Sequence, residues 1–422
     1  MNELYILPVG CNHDHKANLD QEQSAEVEAA FNKLVKQVWD QVVSTGLAEL
    51  TQAVGRVIYK GFNKSFINYN RPDYVALSHI RANVFAFSHA KSLVEMKALS
   101  NLVVDKDKIR SFNDYKVEAA KIGQQFNTNY LRTEYETVVA SGQMARRYQD
   151  IINDKEVFPL LRWDAVNDSR TRPEHRKLDG IIRPADDPFW YSYWPPAGYG
   201  CRCDVQQLRT GRVTPKANAF AKAKDVVNNK SPFIGNSAVQ GEVFGINHPY
   251  FGESQIKRKT LFDLKPKDYG LRSIDKIYSK SNQPALKQGF TSKKGWLDHF
   301  AKLYNQMDGQ GGNITITDAL DRPLLMSADV IGSDHSQSRY GLGGSILDVL
   351  TDPDEVYSNY HKGSRDAKKL FGFKYLKFYK DKPVIVTVVP EGTNMRVKTV
   401  YQPALNQVGK DRKGILHYVD RY

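Results

Sequence analysis

Trp163-Asp164-Ala165-Val166-Asn167-Asp168-Ser169-Arg170-Thr171-Arg172-Pro173-Glu174-His175-Arg176-Lys177-Leu178-Asp179-Gly180 is dense in side chains that hydrogen-bond backbone. It is followed by Phe189-Trp190, Pro195-Pro196 and Tyr199-Gly200-Cys201-Arg202-Cys203. Across residues 160–205 the apolar positions keep neither a helical nor a strand period. A segment of this kind buries little apolar area, so fixed polar contacts or a metal must hold it. Asp168 and Asp179 can cap turns, Arg170 and Arg172 can bridge carboxylates, and Gly180 can take a positive φ. His175, Cys201 and Cys203 supply three soft ligands, and Asp179 or Asp168 could supply a fourth, a set able to hold tetrahedral Zn²⁺. The same residues also suit a metal-free core in which two small cysteines pack and His175 donates to a carbonyl. Cys-x-Cys is a less typical zinc knuckle than Cys-x₂-Cys. A third arrangement, with Cys201 as nucleophile and His175 as base, has no oxyanion site marked in the sequence. No cofactor is assigned beyond a structural Zn²⁺ that the residues could take.

Upstream the texture is helical. From about Gln21 to Lys60, Val27, Phe31, Leu34, Val38 and Val42 recur on one face of an amphipathic helix. A second helical pattern runs from Tyr74 to Leu99, and a third from about Asn113 to Asp150, broken only by Gly123 and Gly142. Downstream, residues 206–260 look like a connecting arm, and the Lys-rich stretch 257–294 like a linker to a further domain. In that domain Phe373–Tyr379, Val384–Val389 and Met395–Tyr401 are strand candidates separated by Lys380-Asp381-Lys382-Pro383 and Pro390-Glu391-Gly392-Thr393-Asn394, so an antiparallel meander is expected. Ile346–Leu350 and Glu355–Tyr360 suit short helices, with Asp352 or Asp354 capping the second. The expectation is a multidomain α+β protein. It would have a helical region at 1–110, a loop-rich α+β core at 111–255, a basic linker at 256–309, and an α+β domain with a small antiparallel sheet at 310–422.

At 422 residues the chain is longer than one hydrophobic core usually supports, and 41% hydrophobic with 25% charged residues is ordinary for a globular protein. No apolar run reaches the roughly 20 residues of a membrane span. The opening MNELYILPVG has no basic region and too short an apolar stretch for a secretory signal, so the protein is expected to stay where it is made unless exported by another route. Three cysteines, Cys11, Cys201 and Cys203, cannot form a secreted disulfide framework. Of the net charge of +13, residues 257–422 carry +10, from 28 Lys and Arg against 18 Asp and Glu. Such a basic half points to a polyanionic partner, nucleic acid being the commonest, although a solvated basic surface would look the same.

The order Trp…Asp-x-Arg-Thr-Arg-x-x-His-x-x-Leu-Asp-Gly…Phe…Pro-Pro…Cys-Arg-Cys, carried by Asp168, Arg170, Thr171, His175, Asp179, Gly180, Cys201 and Cys203, resembles the signature of phage Mu F-like minor head proteins. Arg132-Thr133-Glu134 looks like that family's Arg-Thr-Glu element. The Phe244…His248-Pro249-Tyr250-Phe251 stretch is similar to what often follows the domain, so the resemblance spans about 110–255. It implies a minor head protein made in a bacterial host and carried in the virion head. The implied partners are the portal protein, the capsid and phage DNA, with a role in head assembly and DNA delivery. It implies no catalytic residue here.

In the last domain, RNA cleavage through the 2′-OH needs a general acid/base, positive charge on the phosphorane and donors to phosphate oxygens. His335 could be acid or base, Lys398, Arg339 or Lys374 could supply charge, and Thr399 could contact phosphate. Simple alternation places Met395, Val397, Thr399 and Tyr401 on one face and Arg396 and Lys398 on the other, so Lys398 and Thr399 share a cleft only if a bulge intervenes. Strand Thr and Tyr residues are commonly there for β-propensity, and scattered lysines are commonly solvated. The domain resembles the phage-associated nucleases related to barnase, EndoU, colicin and RelE toxins. The likeness rests on Gly332-Ser333-Asp334-His335-Ser336, Val349-Leu350-Thr351-Asp352-Pro353-Asp354, the strands that follow, and Lys398-Thr399-Val400-Tyr401. This implies a metal-independent endoribonuclease acting as a toxin on host RNA. Two other readings stand beside it: a structural head protein whose basic end binds packaged DNA without catalysis, and a different toxin such as an ADP-ribosyltransferase. The latter lacks its Arg…Ser-Thr-Ser…Glu pattern.

Overall fold

The computed structural model describes residues 21–42, 45–66, 69–106, 108–224, 226, 233, 235–279, 283–287, 289–331, 337–362 and 369–420. Five long helices come first: α1 (Gln21–Trp39), α2 (Gly46–Asn63), α3 (Tyr74–Asn101), α4 (Phe112–Gly123) and α5 (Leu131–Asn153). Three short strands follow, β1 (Leu160–Asp164), β2 (Ile182–Pro184) and β3 (Asp204–Leu208). The rest holds α6 (Lys293–Gln306), β4 (Asn313–Thr317), β5 (Pro323–Ser327), α7 (Gln337–Tyr340), α8 (Ile346–Thr351), β6 (Glu355–Lys362), β7 (Lys369–Phe378), β8 (Pro383–Glu391), β9 (Asn394–Tyr401) and β10 (Ile415–Val419). No helix among the described residues is long and apolar enough to cross a membrane.

Compactness divides the chain into two discontinuous units. The first takes in Val57–Tyr69 and Gly123–Asn247 with the start of α1 to Ala25. The second takes in Glu26–Arg56, Asn70–Ile122 and His248–Tyr422. The single helix expected over 21–60 is two, because the chain turns before the Gly46 amide, which donates to the Gln37 side-chain carbonyl (3.0 Å); Val42 is left exposed.

In the first unit, Gly142 stays inside α5 rather than breaking it. A Cβ there would sit 2.6 Å from the Phe62 carbonyl oxygen, and one on Gly61 would sit 2.7 Å from the Tyr135 ring, so both glycines permit close helix approach. Gly123, by contrast, precedes a seven-residue π-helical stretch, Gln124–Tyr130. The three strands pair antiparallel in the order β2-β1-β3, with Trp163 opposite Val205. Trp163, Trp190 and Trp194 are fully buried in one cluster with Leu161, Leu178, Phe189, Cys201 and Cys203. Replacing any one of these tryptophans by alanine would cost about 3–5 kcal/mol.

The second unit is built on a seven-stranded sheet in the order β10-β6-β7-β8-β9-β5-β4, antiparallel except for the parallel β9–β5 pair. It contains the expected β7-β8-β9 meander within a larger, mixed sheet. Glu355–Tyr360, expected as a helix, is strand β6. Its ladder partners on both sides, β7 and β10, and the buried pairing of Glu355 with Arg412 decide against a helix. Asp354 accordingly accepts from the Phe378 amide, and Asp352, which pairs with Lys377, is the C-cap residue of α8, so neither N-caps a helix over 355–360. One face of the sheet receives α3, where the Ser78 hydroxyl donates to Met395 sulfur (3.6 Å) and Phe85 packs on His417. The helix is capped by Asp73, whose carboxylate accepts from the Val75 and Ala76 amides. The other face carries Tyr357, Leu376, Ile385 and Leu416, covered by Tyr269, Leu271 and Val408. Several residues of the stretch 256–309 are packed. Tyr269 is fully buried, its hydroxyl donating to the Gly414 carbonyl, and Trp296 is buried with its indole N–H on the Ala328 carbonyl.

Candidate functional site

The sheet face that is apolar around Leu376 and Ile385 turns polar one ladder step away. Lys374 of β7, Thr387 of β8 and Thr399 of β9 stand directly opposite one another across the three strands, and residues so paired point to the same face. The β8–β9 register shifts between Thr387 and Val388, so that Thr387 faces Thr399 while Val388 faces Val397, and Lys398 is an extra residue on β9. This bulge decides the orientation of the strand. Met395, Val397 and Val400 are buried, whereas Arg396, Lys398, Thr399 and Tyr401 are not. Thr399 thus leaves the face that plain alternation assigned it and joins Lys398 on the accessible side.

Arg339, at the end of α7, donates from Nη1 to the Thr399 hydroxyl oxygen (3.0 Å). That hydroxyl in turn donates to the Val400 carbonyl at 3.5 Å, the long limit of a hydrogen bond and so a weak contact that a better acceptor can replace. Lys374 is held differently. Its ammonium pairs with Asp411 at 2.6 Å, and the Tyr401 hydroxyl donates to the same carboxylate oxygen at 2.8 Å. Burial and the Asp411 charge push the Tyr401 phenol well above its usual range, so it stays a neutral donor. Lys398 forms an ion pair with Glu391, which also binds Arg396. Of the five residues singled out from sequence, Arg339 and Thr399 are in contact and Lys374 shares their row. Lys398 is drawn off to Glu391, and His335 lies outside the described residues. Thr387, Tyr401 and Asp411 complete the cluster and were not foreseen, because a Thr in a Val-rich strand reads as β-propensity until register is known.

In the loop-rich core many of the polar side chains bind neighbouring backbone. The Asp168 carboxylate accepts from the Arg170 amide (3.0 Å), the Thr171 hydroxyl (3.1 Å) and Arg202 Nη2 (2.6 Å). Its bond to the Arg202 guanidinium holds it well below the usual carboxylate range. Asp179 accepts from the Ala165 amide (3.0 Å) and Asn167 Nδ2 (2.8 Å), and Gly180 follows at φ +73° with its amide on the Trp163 carbonyl. Arg172 and Arg176 donate to the Tyr199 and Asp168 carbonyls rather than bridging carboxylates, and exposed Arg170 lies 3.8 Å from Asp168. His175, on the short helix Pro173–Arg176, is buried against both cysteines, with Nδ1 3.6 Å from Cys201 Sγ and 3.7 Å from Cys203 Sγ. A hydrogen bond from Cys203 pushes the Cys201 thiol down and the Cys203 thiol up. Asp179, with both oxygens committed elsewhere, does not join them.

Residues 109–206 match the model of the family described as Phage Mu protein F like protein. Residues 296–419 match the family described as phage-Barnase-EndoU-ColicinE5/D-RelE like nuclease2, a span that begins inside α6. Among curated proteins, one named as capsid assembly protein F of Escherichia phage Mu is 30% identical over 127 residues, 30% of this chain and 29% of that protein. The Mu-like prophage FluMu F protein of Haemophilus influenzae is 34% identical over 112 residues, 26% of this chain and 27% of that one. An uncharacterised protein of Methanocaldococcus jannaschii is 42% identical over 66 residues, 15% of this chain and 9% of that one. The matched stretch thus spans under a third of each relative's length. No solved structure matches the chain. The chain therefore joins a Mu F-like segment, which holds the His–Cys–Cys core, to a segment of the phage-associated nuclease type, which holds the Arg339–Thr399 face.

Proposed function

We propose that the protein is a minor head protein of a tailed phage, working in capsid assembly beside the portal and in DNA delivery, and that its second unit is a metal-independent endoribonuclease. The head role is supported by the likeness to a phage Mu protein named for capsid assembly and to a Mu-like prophage F protein. The partners would then be the portal protein, the capsid and packaged phage DNA, and the protein, made in the host cytoplasm, would travel in the virion head.

The observation that carries the nuclease reading is the Arg339–Thr399 contact on a row with Thr387 and Lys374. A phosphodiester seated there would meet the Arg339 guanidinium, which can offer two parallel N–H donors to phosphate oxygens, and the Thr399 hydroxyl, whose weak bond to the Val400 carbonyl a phosphate oxygen can replace. Lys374 adds positive charge partly offset by Asp411. In the reaction, a base removes the ribose 2′-OH proton, the 2′-oxygen attacks phosphorus, and the 5′-oxygen leaves with a proton from the acid, giving a 2′,3′-cyclic phosphate. Donors that tighten on the equatorial oxygens as the phosphorane forms lower the barrier, and loss of one such donor typically costs about 10²–10³ in rate. His335, four residues before Arg339, is the proposed acid or base.

The test uses the full chain, because residues 310–422 alone omit Tyr269, Leu271 and α3 from the unit. Incubated with RNA in excess chelator, the wild-type chain should cleave, and Arg339→Ala and Thr399→Val should not. Intact RNA with the wild type, or equal cleavage by all three, would reject the site. Salt-sensitive DNA binding without turnover would support a structural head protein instead.

A further inference from the structure

His175, Cys201 and Cys203 are buried, and their donor atoms all lie within 4.8 Å of one another. Around tetrahedral Zn²⁺, with bonds of about 2.3 Å to sulfur and about 2.0–2.1 Å to nitrogen, the N···S edge comes to about 3.6 Å. The two observed Nδ1···Sγ distances, 3.6 and 3.7 Å, already sit at that edge. A second observation points into the same space. The Trp163 indole N–H is fully buried, lies beside Cys203, and lacks a hydrogen-bond acceptor of good geometry among the described residues. An N–H aimed at a ligating sulfur is the outer contact that a metal-bound thiolate needs. Arg202, fixed by Asp168, adds positive charge beside both sulfurs.

We propose that His175 Nδ1, Cys201 Sγ and Cys203 Sγ hold one Zn²⁺, with a solvent molecule at the fourth position. Asp179 is not a ligand, since its two oxygens bind the Ala165 amide and Asn167. Binding releases two thiol protons and leaves a neutral dithiolate–imidazole–zinc centre. Its work is to tie the short helix Pro173–Arg176 to the segment leading into β3 in a core whose strands are five, three and five residues long. Metal binding of this kind is folding free energy.

Full-length chain purified without a histidine tag should contain about one zinc per molecule. A strong chelator should remove it and lower the melting temperature, and Zn²⁺ should restore both. Co²⁺ loaded into the stripped wild type should give a thiolate-to-cobalt charge-transfer band, a readout that does not depend on any variant folding. Asp179→Asn should keep the metal, and Cys203→Ser should lose it. Metal-free wild type that shows neither a stability change with Zn²⁺ nor a charge-transfer band with Co²⁺ would overturn the proposal. Zinc lost from folded Asp179→Asn would overturn the three-residue ligand set.

Discussion

In the loop core, Asp168, Asp179, Arg172 and Arg176 all direct their polar atoms at backbone groups of residues 165–199, and each contact holds a turn. On the C-terminal sheet, the backbone is already paired strand to strand, and Arg339, Thr387 and Thr399 present donors away from it. The two regions hold the same kinds of side chain for opposite reasons. A segment without regular ladders consumes its polar groups in satisfying its own backbone. A sheet meets that need internally and leaves side chains for a ligand.

The largest effect separating the two regions should come from Arg339→Ala. Its loss removes a phosphate donor and should lower RNA cleavage by about 10²–10³-fold, leaving the melting temperature almost unchanged. Asp179→Ala should behave in the opposite way. It leaves the Ala165 amide without its acceptor and should cost about 1–3 kcal/mol in chemical denaturation, with cleavage per folded molecule unchanged. Any change in cleavage would show that the two regions are coupled.

Acid should weaken the sheet unit first. Burial pushes His89 down to about 3, and burial with the Lys91 charge pushes His248 down to about 4, while His417 is also driven well below its usual value. Their folded values lie under the unfolded one, so their contribution is complete above about pH 6.5 and is lost as pH falls toward 4. Asp354, raised by burial to about 6, works against this in the same window, because protonation favours its folded form. Three histidines outweigh the one carboxylate, so the net effect of acid is destabilising, read as faster hydrogen exchange of α3 amides. The smallest effect belongs to Lys398→Ala. An exposed pair with Glu391 contributes about 0–1 kcal/mol, and cleavage should hold close to the wild-type rate if that pair keeps Lys398 from the substrate.

Much of this was legible in the sequence. The meander, the α3 span and the grouping of His175 with the two cysteines follow from turn chemistry, period and spacing. What escaped was set by partners far along the chain. Glu355–Tyr360 is a strand because β7 and β10 flank it, and the Val-Tyr-Ser-Asn-Tyr run has no local feature that excludes a helix. The face of Thr399 depends on one bulged residue, Lys398, and a one-residue shift reverses every side chain beyond it. Tyr269 and Trp296 sit in a Lys-rich stretch, and their burial reflects the sheet that covers them, not local composition.

The most direct measurement is RNA cleavage by the full-length chain in excess chelator, comparing wild type with Arg339→Ala and Thr399→Val at matched folded fraction. The account predicts products ending in 2′,3′-cyclic phosphate from the wild type, even after the loop core has been stripped of metal, and none from either variant. RNA left intact by the wild type, or cut equally by all three, would contradict it.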